Sequence, residues 1–287
     1  MTRCPTHPLC DALKDDSAWC QPIFRWAGSK KKILPILLRS VPSQFSRYVE
    51  PFAGSACLFF ALRPARAVLA DINADLISAY LEIKRHPRRV RRRASSFLPT
   101  RSEYYRVRTL FRGQATTQIE RSAQFIYLNR FCFNGIYRTN QQGQFNVPFG
   151  TDTGDFPPEA QFVRASVALR GATLSAQDFQ ATVATIEPGD FVYLDPPYSY
   201  GNRRDRGEYG PHSFKVWELQ RLAYTLSKIH MAGAFFLLSY LDCPELESIC
   251  STWFHARIPV RRTVSSFSQH RKIVDELLIA NYPLPHF

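Results

Sequence analysis

The sequence predicts an α/β protein with a Rossmann-like, doubly wound core interrupted by an inserted, mainly helical lobe. Three observations carry this. Residues 47–71 read as strand, glycine turn, helix and strand. Alternating strands and helices resume after about residue 166. The stretch between is basic, then irregular, and fits neither the strand nor the helix period for long.

The first strand is read over Arg47–Phe52. It enters a tight turn at 53–56 and an apolar helix over Cys57–Leu62, and Ala67–Ala70 forms a second strand ended by Asp71. This is a βαβ unit. A helix follows over Asp75–Lys84, and then a dense basic run from Lys84 to Arg93 that suits phosphate contact or a solvated helix end. Ile119, Ala123 and Ile126 mark one face of a helix over Thr117–Asn129. Residues 131–150 are rich in Gly, Asn, Phe and Pro, and a connection of that length is usually functional. Ala172–Ser175, Phe191–Leu194, Ala234–Leu238, Phe254–Pro259 and Val274–Ala280 are the later strands. Leu219, Leu222, Ala223, Leu226 and Ile229 fall in register on a helix over Val216–His230. The domain reading is an N-terminal extension at 1–21, a catalytic core at 22–75 and 166–287, and an inserted lobe at 76–165.

With 45% apolar residues, the 287-residue chain can bury a sizeable core. Its 37 Lys and Arg against 24 Asp and Glu leave a net charge of +13, which points first to nucleic acid as partner. The cysteines are odd in number (seven), and Cys57, Cys132, Cys243 and Cys250 lie scattered in apolar or helix-like segments, as in a reducing compartment. Cys4, Cys10 and Cys20, with His7 between them, lack short metal-ligand spacing, and the other histidines do not cluster, so no metal is expected. Without an apolar run of roughly 18 residues or a signal-peptide pattern, the reading is a soluble, cytoplasmic protein with no membrane partner.

The strongest chemical signal is DPPY at 195–198, directly after an apolar strand. Ligands of open α/β sheets bind at strand carboxyl ends, which places Asp195 for chemistry. Pro196 and Pro197 remove backbone donors and stiffen the turn. Asp195 and the Pro196 carbonyl thus offer two acceptors to one amino group, and Tyr198 offers a flat face to a base. The EPFAGSA string at 50–56 is the second site. Gly54 permits close backbone approach to a ligand, Phe52 precedes it, and Asp71 ends the next strand where a carboxylate bonds ribose hydroxyls. On its own this fits any nucleoside site. The third is FRWAGSK at 24–30, where Trp26 and Lys30 suit a ligand with a flat ring and a carboxylate.

Taken in order, RWAGSK (25–30), EPFAG (50–54), ADIN (70–73), YLNR (127–130), FNG (133–135) with Arg138, FNVPFG (145–150), DPPY (195–198) and VDELL (274–278) resemble the Dam-type, D12 class DNA adenine-N6 methyltransferases. The resemblance spans residues 23 to about 280. It implies a Rossmann-like S-adenosylmethionine-dependent methyltransferase core with an inserted DNA-recognition lobe, and methyl transfer to N6 of an adenine flipped out of duplex DNA. By similarity, Trp26, Lys30, Phe52, Gly54, Asp71, Asp178, Phe179 and Asp195 hold the cofactor, S-adenosylmethionine. Asp195, Pro196, Pro197 and Tyr198 form the catalytic pocket. Arg25, Phe133, Asn134, Arg138 and Pro148 contact DNA, and the two arginines suit a GATC-like site. Double-stranded DNA is the implied partner, and any restriction or defence partner stays unassigned. Three positions depart from the family: Ser29 and Ala56 stand where it favours Gly, and Asp152 stands near a position where it often has an aromatic. A DPPY pocket alone also fits an RNA amino-methyltransferase, and a catalytically silent DNA-binding subunit is the reading from a different class.

Overall fold

A computed structural model describes residues 20–113, 117–151, 153–198, 216–243, 246, 250–261 and 273–285. Cys4, His7, Cys10 and Asp152 lie outside these residues. Seven strands form one sheet: β1 (Tyr48–Glu50), β2 (Ala67–Asp71), β3 (Ala172–Ala176), β4 (Phe191–Leu194), β5 (Phe235–Leu241), β6 (Phe254–Arg261) and β7 (Ile273–Ala280). Their order is β3-β2-β1-β4-β5-β7-β6. The pairings from β3 to β5 are parallel, and β7 runs antiparallel between β5 and β6. Strand succession moves outward one way from β1 and the other way from β4. The carboxyl ends of these two neighbours therefore open onto the switch point where such sheets bind ligands.

Alternation of side chains builds a core on each face. Tyr48, Phe191, Tyr193 and Leu237 pack into one core, and Val49, Val192, Leu194, Phe236 and Leu238 into the other. β1 and β4 are buried along their whole length, as parallel strands covered on both faces must be. β1 is shorter than the expected 47–52 because Pro51, which has no N–H, ends its ladder.

The helices are α1 (Leu34–Ser40), α2 (Cys57–Leu62), α3 (Ala74–Arg85), α4 (Pro87–Ala94), α5 (Arg101–Arg112), α6 (Gln118–Phe131), α7 (Glu159–Leu169), α8 (Phe179–Val183) and α9 (Val216–Met231). Five of them, α3 to α7, lie between β2 and β3. α6 is buried on nearly every side from Ser122 to Asn129 and forms the axis of this insert. Phe24 packs edge-on to Tyr80 of α3 at 4.8 Å and against Phe125 of α6 at 5.5 Å, so insert and sheet share one continuous core. The basic run is itself a helix, α4, with Val90 and Ala94 buried. Arg88 pairs with Glu159 at 3.1 Å and Arg93 with Glu120 at 2.6 Å, which leaves Arg89 and Arg92 exposed.

α2 starts from Ala56, held in the left-handed region at φ 51° and ψ 38°. A Cβ there costs about 1–2 kcal/mol relative to glycine. In Ala56→Gly the relief is offset by greater unfolded-chain freedom and by loss of a buried methyl, and the variant is expected to be near-neutral. Ala56→Val adds a β-branched side chain to the same strained backbone and is expected to lose at least about 2 kcal/mol. Denaturant melts of the two variants check the contrast. Equal stability of Val and Gly at this position would refute it.

Candidate active site

A cleft of about 680 Å³ opens at the carboxyl ends of β1 and β4. It is walled by Trp26, the 50–58 turn, the residues after β2, the start of α8, the 195–198 turn and the first turns of α9. Six carboxylates (Glu50, Asp71, Asp75, Asp178, Asp195, Glu218) and two cations (Lys30, Arg221) line it. An acidic cleft in a chain of net charge +13 suits a positively charged small molecule and repels phosphate.

The floor is an ionic quartet. Lys30, 4% exposed, donates from Nζ to Asp195 Oδ1 at 2.6 Å, to Tyr198 OH at 2.9 Å and to the Gly28 carbonyl at 3.1 Å. Tyr198 OH donates in turn to Glu276 Oε1 at 3.2 Å, and that oxygen stands 4.0 Å from the ammonium. Ser239 Oγ, 3.0 Å from Tyr193 OH, donates to Asp195 Oδ1 at 3.3 Å. Lys30 and Ser239 thus share one oxygen. Among the described residues no donor reaches Oδ2 or the Pro196 carbonyl, and both Asp195 and Pro196 line the cleft. Burial works against the Lys30 charge, but the carboxylate of Asp195 outweighs it and holds the ammonium protonated well above the usual lysine range. Burial pushes the Asp195 carboxyl up, and Lys30 opposes that rise. Glu50 lies 2% exposed with Tyr48 OH donating to it at 3.0 Å; burial holds its carboxyl far above the usual range.

The second wall is backbone and rings. Asp71 accepts from the Gly54 N–H and the Asn73 N–H, each at 2.9 Å, and so ties the glycine turn to the end of β2. Gly54 has φ +46°, and a Cβ on it would stand 2.8 Å from Trp26 Cδ1, so only glycine fits beneath that ring. Phe52 stacks on Phe179 at 5.1 Å. Asp178 caps α8 at the Gln180 N–H (2.9 Å) and pairs with Arg221 at 2.8 Å. Ser29 has φ −48°, a conformation any residue adopts, and its hydroxyl lies 3.1 Å from Cys57 Sγ.

The structure therefore gathers Trp26, Lys30, Phe52, Gly54, Asp71, Asp178, Phe179, Asp195, Pro196, Pro197 and Tyr198 in one cleft. Two of them stand differently from a simple reading. Lys30 turns its ammonium onto Asp195, and Tyr198 is 6% exposed, edge-on to Tyr240 at 5.1 Å. The residues expected on DNA lie off the cleft, on the insert's rim. Phe133 and Asn134 are exposed, Pro148 is exposed and accepts the Phe133 N–H at 2.9 Å, and Arg138 Nε donates to Asn146 at 2.9 Å. Arg25 packs on Gly135, where an added Cβ would stand 2.4 Å from its own, and donates to the Arg130 carbonyl at 3.1 Å. Sequence reasoning assigned no role to Glu276, Ser239 or Tyr137. Only Glu276 left a signal, a carboxylate inside the apolar VDELL strand.

The sheet order and a carboxylate-proline turn at its switch point are those of a Rossmann-like methyltransferase core. The family model for the D12 class N6 adenine-specific DNA methyltransferases matches residues 26–267. The chain belongs to that family, whose members are adenine-specific DNA methyltransferases. Its relatives include the Type II methyltransferase M1.LlaDCHI of Lactococcus lactis subsp. cremoris, 30% identical with 91% of this chain and 95% of the relative covered. The DNA adenine methylase of Escherichia coli K12 is 31% identical, with 91% and 95% covered. The DNA N-6-adenine-methyltransferase of Escherichia phage P1 is 32% identical over 93% of this chain but only 36% of the longer phage protein. Among the described residues no helix is long and apolar enough to cross a membrane, and no group of three or more His, Cys, Asp or Glu is arranged to hold a metal.

Proposed function

We propose that the cleft binds S-adenosylmethionine and that the chain methylates N6 of an adenine turned out of duplex DNA, within a GATC-like site. The observation that carries this is Asp195. One carboxylate oxygen is fixed by Lys30 and Ser239, and among the described residues no donor engages the other oxygen or the Pro196 carbonyl, both residues lining the cleft.

The lining fits the cofactor by its chemistry. A sulfonium and an ammonium favour the carboxylate-rich walls, the Phe52–Phe179 pair and Trp26 offer apolar faces, and Gly54 admits close approach. Asp71 is the candidate for the ribose hydroxyls and Asp178 with Phe179 for the adenine edge. When bound, S-adenosylmethionine supplies the methyl group. The protein's part is to orient the target amine. Buried in a duplex, N6 is out of reach, so the base has to leave the stack. Its two N–H groups donate to Asp195 Oδ2 and the Pro196 carbonyl, which draws nitrogen toward a tetrahedral, nucleophilic geometry. Asp195 Oδ2 then takes the proton that N6 sheds. Pro197 keeps the turn rigid, and Tyr198 keeps Lys30 in register while its ring walls the base pocket.

Arg25 and Arg138 support guanine reading on the rim, with Phe133, Asn134 and Pro148 as their exposed neighbours. The net charge of +13 supports phosphate contact along the outer surface. The relatives are bacterial, archaeal and phage proteins, which supports a place in the cytoplasm beside the nucleoid.

The test is methyl transfer from labelled S-adenosylmethionine to plasmid DNA free of N6-methyladenine, followed by single-molecule sequencing. Methylated adenines in one short motif are expected. Preferential labelling of structured RNA in direct competition would overturn the DNA assignment. Cofactor binding without any transfer would point to an RNA substrate or a missing partner, and neither binding nor transfer would favour a silent DNA-binding subunit.

A further inference from the structure

Tyr137 and Thr139 line the cleft, whereas Arg138 between them does not. This is the alternation of an extended segment, in which neighbouring side chains point to opposite sides. Thr139 is pinned by a bridge to Phe145, and Arg138 is held by Asn146 on the other side at 2.9 Å. The Tyr137 ring lies nearly parallel to Trp26, with centroids 5.8 Å apart and 18° between planes. Asn73 and Asp75, just past the carboxyl end of β2, line the same cleft. Thr139 Oγ1 is buried and has no hydrogen-bond partner among the described residues. A buried hydroxyl without a partner costs roughly 1–3 kcal/mol, so a hydroxyl left this way at a cleft wall calls for a ligand or water to satisfy it.

We propose that Tyr137 and Thr139 belong to the cofactor site: the Tyr137 ring extends the Trp26 face, and Thr139 supplies a hydrogen bond to the bound nucleoside or amino-acid portion. One segment of the insert then reads DNA with Arg138 and holds cofactor with the residues on either side of it. Cofactor and DNA affinity are coupled through that segment, and by linkage the coupling is the same in both directions. This rests on the reading of the cleft as the S-adenosylmethionine site.

Calorimetry with S-adenosylhomocysteine on the full chain tests it, with and without the unmethylated plasmid DNA. Thr139→Val keeps the volume and is expected to weaken binding about fivefold while the Tm of the free chain holds or rises. Tyr137→Leu is expected to weaken it about tenfold and to bring cofactor affinities with and without DNA to the same value. Tyr137→Phe keeps the ring and should bind as wild type does. If Thr139→Val and Tyr137→Leu both bind normally while Trp26→Ala is impaired, this proposal falls and the cofactor reading stands. If the wild-type chain itself binds no S-adenosylhomocysteine, both fall together.

Discussion

Asp195→Asn is expected to lower kcat by about 10³-fold while leaving cofactor affinity within about threefold. The substitution keeps the volume of the turn after β4 and an oxygen for Ser239, but it removes the charge that attracts the target amine and the acceptor of its proton. Half of the amide presents N–H groups, which repel an N–H donor. The variant should stay folded, because Glu276 and Tyr198 still hold the Lys30 ammonium. Some stability is lost all the same, since removing one partner of a buried pair costs about 3–5 kcal/mol where nothing compensates. Single-turnover transfer on unmethylated plasmid, with calorimetry and circular dichroism on the same sample, separates the two effects. A folded variant that binds cofactor and turns over at the wild-type rate would remove Asp195 from the chemistry.

Much of the frame was legible because parallel strands buried on both faces read as short apolar runs, and here each catalytic run ends in a residue that breaks the pattern. Pro51 and Gly54 follow β1, Asp71 ends β2, and Asp195 with two prolines follows β4. The helices of the insert were harder. α4 hides two buried residues, Val90 and Ala94, among arginines, so its composition resembles a solvated tail. α5 carries a usable signal in its sequence: Thr100 accepts the Glu103 N–H, just as Thr117 accepts the Glu120 N–H at the start of α6. Thr-x-x-Glu before a periodic run is a capping signature. The ionic quartet was not legible at all. Lys30 and Asp195 lie 165 positions apart, and nothing local in FRWAGSK says that its lysine turns toward a strand on the far side of the switch point. The Arg25–Gly135 packing is hidden for the same reason.

Lys30→Met separates two roles for that lysine. If it chiefly sets the state of Asp195, removing the ammonium leaves burial and the repulsion of Glu276 to push the carboxyl up, opposed only by the Ser239 hydrogen bond. Burial already pushes Asp195 up, and Lys30 is the main opposing influence. Without it the carboxyl moves higher still. The active form is the carboxylate, so activity is lost as pH falls through this raised value, and the acid limb of the kcat profile shifts to higher pH. At neutral pH kcat should drop and recover in part as pH rises. If Lys30 instead holds the cofactor carboxylate, the loss appears in cofactor affinity and KM, with the acid limb unmoved. The 2.6 Å contact with Asp195 and the hydrogen bond to Tyr198 favour the first outcome. Steady-state profiles of wild type and variant across the neutral range decide it, and an acid limb that stays in place while cofactor affinity collapses would reassign Lys30 to the cofactor.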